Sequence, residues 1–84
     1  MDNKKAIILE IYDLFLPGVP TSLHKWGRVV WLHDIEVGLN GQLIFLKDGK
    51  LRITTLSRIS NIIQTKDSFE IHTQSNLYKL RYLE

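Results

Sequence analysis

Residues 40–55 have the sequence NGQLIFLKDGKLRITT and carry the clearest evidence of the fold. Asn40-Gly41 and Asp48-Gly49 are each a pair of residues that tolerates positive φ, as a two-residue type I′ hairpin turn requires. Runs with strand composition follow each pair, at 42–47 and 50–56. The stretch therefore predicts tight antiparallel hairpins in a mainly β fold.

The same alternation of strand runs and turns continues on both sides of this stretch. Further runs with strand composition occupy residues 29–37, 59–64, 69–73 and 77–83. In the last run Tyr78, Leu80 and Tyr82 share one face, while Lys79 and Arg81 share the other. Short strands joined by tight turns form a meander. We predict five or six strands over residues 26–83, closing as a small antiparallel barrel of SH3-like or Sm-like form.

Residues 3–16 are apolar on nearly every side and are followed by Pro17, which disfavours the α conformation at the residue before it. The length of the segment favours a helix, although its isoleucine-rich composition also suits a strand. We predict an N-terminal helix at 3–16 within a single domain, 1–84. Residues 43–46 are apolar on both faces, which predicts cover by the barrel interior on one side and this helix on the other.

A second helix is compatible with residues 21–37. This segment has a capping residue at Ser22 and a stop at Gly38, with an apolar stripe between them. Gly27 and the β-branched pair Val29-Val30 argue against it. The predicted fold class is therefore α+β and mainly β.

Composition sets limits on the function and the compartment. The 84 residues contain no Cys, which excludes disulfides and a thiol nucleophile and suits a reducing compartment. No stretch approaches the 18 apolar residues of a membrane span, and the N-terminal region lacks a secretory pattern. We expect a cytoplasmic protein that does not associate with membranes. Eleven basic residues against nine acidic ones fall short of the dense basic stripe of a dedicated nucleic-acid binder.

The sequence contains no motif for catalysis. His24, His33 and His72 lie far apart, and no pair has the spacing that places two imidazoles on one metal ion. No Ser lies in a Gly-x-Ser-x-Gly context, and neither type of glycine-rich phosphate loop is present. We therefore predict a protein that is not an enzyme, with no catalytic residues, bound metal or cofactor.

Protein binding is the predicted function. The N-terminal segment offers more apolar surface than one face of a small barrel needs, and exposed apolar patches mark interfaces. Tryptophan is enriched at interface hot spots, although both tryptophans also suit a core. The candidate interface residues are Ile8, Ile11, Tyr12, Phe15, Trp26 and Trp31. We predict a non-enzymatic interaction module, a small regulator or inhibitor that forms a homo-oligomer and binds a larger, unidentified protein.

The alternative function is nucleic-acid binding by a basic strand face. Small barrels that bind nucleic acid combine basic grooves with exposed aromatic side chains. The candidate residues are Lys50, Arg52, Arg58, Lys79 and Arg81. The same charges also suit an ordinary solvated face.

Residues 52–80 contain a series of strand-forming residues in a recognisable cadence. The series is Ile53, Thr54, Thr55, Ile59, Ile62, Ile71, Thr73, Ser75, Tyr78 and Leu80. It resembles small uncharacterised bacterial and phage β-domain proteins with the pattern "ITTS…I..I…V.T.NS.Y.L". The sequence departs from this pattern at Leu56, which follows the two threonines, and at Ser75-Asn76, which replaces Asn-Ser. The resemblance implies a small β domain and no particular activity.

Overall fold

The computed structural model describes residues 4–16 and 18–83. These residues form eight β-strands and one 3₁₀ turn, Leu23–Lys25, which lies between the second and third strands. The strands are β1 (Lys5–Asp13), β2 (Val19–Pro20), β3 (Val29–His33), β4 (Gln42–Lys47), β5 (Lys50–Thr55), β6 (Ile59–Gln64), β7 (Ser68–Thr73) and β8 (Asn76–Tyr82).

All eight strands belong to one antiparallel sheet with the order β5-β4-β3-β1-β8-β7-β6, and the short β2 pairs with β1 beside this path. The sheet curves into a half-barrel. β5 and β6 follow one another in the chain, separated only by residues 56–58, yet they are the two ends of the strand order. The half-barrel therefore has an open seam between β5 and β6.

The predicted N-terminal helix is wrong, because residues 5–13 form the central strand β1. Residue 3, where the helix was predicted to begin, and Pro17 lie outside the described residues. β1 pairs with β8 along one edge and with β3 and β2 along the other. The prediction failed because a long apolar run has the composition of both a buried helix and a central strand.

Residues 21–37 do not form the second possible helix. This segment contains the 3₁₀ turn Leu23–Lys25 and the strand Val29–His33. In the part of the chain that the structure describes, no helical segment has the length and apolarity to span a membrane.

The strand runs predicted after residue 28 are confirmed to within a few residues. The predicted small β-barrel is confirmed in its coarser form, since the described strands form a small β half-barrel. Its closure from five or six strands in SH3-like or Sm-like form is wrong, because eight strands form an open sheet, and the α+β class is wrong because the described residues are nearly all β.

The two predicted hairpin turns have different outcomes. Asp48 and Gly49 have φ values of 53° and 75°, which confirms the two-residue turn between β4 and β5. Asn40-Gly41 is not a hairpin turn, since neither residue has positive φ and residues 34–41 together connect β3 to β4. This loop crosses one end of the seam, where the Gly38 amide donates to the Ile59 carbonyl at 2.8 Å and the Ile59 amide donates to the Leu39 carbonyl at 2.9 Å.

The hydrophobic core lies on the concave side of the sheet. Alternate residues of the strands point into it, as the two-residue period of a strand requires. Its members are Ala6, Ile8, Ile11, Val30, Leu32, Leu43, Phe45, Leu56, Ile59, Phe69, Ile71, Tyr78 and Leu80.

Candidate functional site

An apolar patch covers the convex side of β3, β4 and β5. We call it the convex patch; its residues are Trp31, Ile44, Leu46, Leu51 and Ile53. Ile44 lies directly opposite Trp31 on one neighbouring strand and Ile53 on the other, and Leu46 lies opposite Leu51. Directly opposed residues share a face of the sheet, so these side chains form two adjacent rows.

The convex patch is open to solvent. Leu51 is 63% exposed, and Leu46 and Ile53 are each 55% exposed. The sequence predicted cover on both faces of residues 43–46, but only Leu43 and Phe45, which point to the concave side, are buried. The N-terminal segment does not cover the other face, because it is a strand of the same sheet.

β5 is the edge strand beneath this patch. It pairs with β4 alone among the described strands, and its cationic side chains point away from the patch. Arg52 lies opposite Phe45, which belongs to the core, and Lys50 occupies the same face two residues earlier. The two faces of the β4–β5 hairpin therefore differ in chemistry, with apolar side chains on the convex side and cations on the concave side.

The residues proposed as an interface do not form one surface. Ile8 and Ile11 are each 1% exposed and belong to the core, so they are not available to a partner of the folded chain. Trp31 lies in the convex patch, with the Lys5 ammonium 5.7 Å from its ring centroid.

Tyr12 and Trp26 pack against one another elsewhere, with ring centroids 6.1 Å apart. The Trp26 indole N–H donates to the Thr21 carbonyl at 3.0 Å, and its ring packs against the core. Phe15 is 76% exposed in the bend after β1, where the Asp13 carboxylate accepts a hydrogen bond from its amide at 2.7 Å. Tyr12 lies near the C-terminal end of β1 and Phe15 just after it, whereas β3 pairs with the N-terminal residues of β1.

The basic residues of the alternative function are also separated. Lys50 and Arg52 lie on β5, and Lys79 and Arg81 lie on β8, with three strands between them in the sheet. They also occupy opposite faces, because Lys79 alternates with the buried Tyr78 and Leu80. Lys79 forms an ion pair with Glu10 at 3.7 Å. Arg58 is exposed in the connection between β5 and β6.

A different group of cations meets on the concave side of the β4–β5 hairpin. They line a pocket of about 250 Å³, which we call the basic pocket. Its polar and aromatic lining consists of His24, Lys25, Arg28, Phe45, Lys47 and Arg52. Of these, only Arg52 was a candidate from sequence. Strand alternation would have placed Lys47 on the same face as Phe45, but the approach of Lys25 and Arg28 depends on how the loop before β3 packs.

Two of the histidines each lie beside one nearby carboxylate, the first pair exposed and the second half-buried. His33 lies 3.4 Å from Asp34, and His72 lies 3.1 Å from Glu70. The Ser60 hydroxyl donates to the backbone carbonyl of His72 at 3.1 Å, and the His72 imidazole contacts Glu70. Over residues 4–16 and 18–83, no three His, Asp or Glu side chains cluster closely enough to hold a metal ion.

Comparison of the chain with known proteins finds no matching family model, no matching curated protein and no matching solved structure.

Proposed function

We propose that the chain is a non-enzymatic protein-interaction module whose convex patch is covered by another protein, first of all by a second copy of the chain. The observation that carries this proposal is the pair of exposed apolar rows on β4 and β5, Ile44 with Ile53 and Leu46 with Leu51. A small regulator that covers a larger target protein would use the same surface.

The energetic support comes from the hydrophobic effect. Burying a leucine side chain fully contributes about 1.5–3 kcal/mol, and Leu46 and Leu51 have most of this contribution still to gain. Contiguous exposed apolar surface on a soluble chain typically marks an interaction site, whereas single exposed apolar residues do not. The cross-strand register places these leucines side by side.

Charge favours contact across the face of the sheet over contact along its edge. Pairing β5 with the β5 of a second copy would bring Lys50 and Arg52 of both copies close together. Cationic side chains on an edge strand oppose such pairing. The patch itself contains no charged residue, and an apolar surface is complementary to its own copy across a two-fold axis. We therefore expect face-to-face packing of two convex patches.

The experiment compares Leu51→Glu with Leu23→Glu by light scattering behind size exclusion. The two leucines are an exact match in exposure, 63% each, but Leu23 lies in the 3₁₀ turn outside the patch. We expect the unsubstituted chain to elute at a multiple of 9.8 kDa. Leu51→Glu should weaken self-association by at least about tenfold, and Leu23→Glu should leave it unchanged.

A second arm tests the larger partner. The unsubstituted chain and both variants are immobilised and exposed to lysate, and captured proteins are compared. Capture that is lost with Leu51→Glu and kept with Leu23→Glu supports an interaction module with a different partner. The proposal is refuted if the chain is monomeric and captures nothing in a Leu51-dependent way.

A further inference from the structure

The basic pocket lies on the opposite face of the β4–β5 hairpin from the convex patch. Lys25 ends the 3₁₀ turn, Arg28 lies just before β3, and Lys47 and Arg52 lie on the two strands of the hairpin. The opposed pairs Phe45–Arg52 and Lys47–Lys50 place the hairpin cations on the concave side beside the Phe45 ring. Four lysine and arginine side chains from three segments thus surround one cavity of about 250 Å³.

Arg28 lies against the Phe45 ring at this cavity but uses few of its hydrogen-bond donors. Its guanidinium carbon lies 4.8 Å from the centroid of the Phe45 ring, and its Nη1 donates to the Leu46 carbonyl at 3.3 Å. Its Nε is buried and has no hydrogen-bond partner among the described residues. Buried polar atoms normally have a partner, so this guanidinium retains donor capacity for an acceptor.

The positive charge of the pocket is not balanced within the described part of the chain. None of the pocket's four Lys and Arg residues forms an ion pair with a described carboxylate, and no Asp or Glu lines the cavity. Burial, and then the nearby Arg28 guanidinium, lower the pKa of Lys25 below its ordinary value. By contrast, Lys79 on β8 is paired with Glu10.

We infer that the basic pocket binds a phosphate group. A phosphate dianion has three or four acceptor oxygens and balances more charge than a carboxylate. Arginine donates to such oxygens from a planar fork, and lysine adds point charge. Of the convex patch, Ile53 also lines this cavity, whereas Leu51 does not. Leu51→Glu and Arg52→Gln alter opposite faces of β5, so this inference and the proposed protein-interaction function can fail separately.

The test is a titration of the ¹⁵N-labelled chain with inorganic phosphate, followed by NMR at constant pH and low ionic strength. Two further titrations use a nucleoside monophosphate and a single-stranded oligonucleotide, which distinguish free phosphate, nucleotide and polymer backbone as the source. Sodium chloride at equal ionic strength is the control for screening. We expect saturable shifts of the backbone amide signals of Arg28, Phe45, Lys47 and Arg52.

Matched variants assign the effect to the pocket. Arg52→Gln should weaken binding by at least about tenfold, since it removes charged hydrogen-bond donors. Arg81→Gln removes the same charge from the exposed convex side of β8 and should leave binding unchanged. Amide spectra of the two variants establish that both are folded. Saturable, Arg52-dependent binding of any of the three probes supports the inference, and the tightest probe identifies the source. Shifts that do not saturate, that chloride reproduces, or that Arg81→Gln reduces equally would overturn it.

Discussion

Gly41→Ala should destabilise the fold through lack of space. Gly41 is buried in the loop that closes one end of the seam. A Cβ added there would lie 2.6 Å from Ile35 Cδ1 and 3.1 Å from both the Asp34 carbonyl oxygen and Ile59 Cδ1. Carbon atoms in favourable contact are about 3.5–4.0 Å apart. Overpacking of this kind costs about 1–3 kcal/mol, and each kcal/mol lowers Tm by roughly 4–8 °C in a domain of this size.

A double-mutant cycle identifies the cause. Ile35→Val removes the methyl group nearest to the new Cβ and by itself should cost about 0.5–1.5 kcal/mol. In the Gly41→Ala background it relieves the shortest contact, so we expect it to be neutral or stabilising. The coupling free energy should therefore be about 1 kcal/mol or more. Urea unfolding followed by tryptophan fluorescence measures all four chains. If the two substitutions are additive, or if Gly41→Ala alone changes the free energy of unfolding by less than about 0.5 kcal/mol, steric exclusion at Gly41 is refuted.

Three further predictions concern single residues. Gly49→Ala should cost about 1–2 kcal/mol in urea unfolding, because φ is +75° there although a Cβ would meet no atom within 4 Å; an unchanged unfolding midpoint would contradict the turn geometry. Thr73→Val should lower the free energy of unfolding by about 1–3 kcal/mol, because the buried Thr73 hydroxyl accepts hydrogen bonds from the amides of Ser75 and Asn76 at 3.2 and 3.0 Å. Thr73→Ser keeps the hydroxyl and should lower the free energy of unfolding by less. Burial raises the pKa of Tyr78 above its ordinary value of 10.0. As pH rises, Tyr78 therefore ionises in the unfolded chain before it does in the folded chain, and the free energy of unfolding should fall above pH 10.0. This fall should be shallower in Tyr78→Phe, and equal slopes would show that Tyr78 does not contribute.

The strands after residue 28 could be predicted from local sequence patterns. Strand-forming composition located β4 to β8, with clear alternation in the last strand, and Asp48-Gly49 located the β4–β5 turn, because strand propensity and positive φ are properties of a few adjacent residues. The sequence also located Lys50 and Arg52 on one face of β5. These features depend on no distant contact.

The secondary structure of residues 5–13 and the two candidate surfaces depend on contacts between residues that are distant in sequence. β1 is a strand because β8, some 70 residues away in sequence, pairs along one of its edges, and no local pattern contains that pairing. Asn40-Gly41 has the composition of a hairpin turn, but Gly41 is needed where Ile35 and Ile59 pack against it. The convex patch is exposed because the N-terminal segment joined the sheet instead of covering it. The basic pocket exists because the loop before β3 brings Lys25 and Arg28 to the concave side of a hairpin that is distant in sequence.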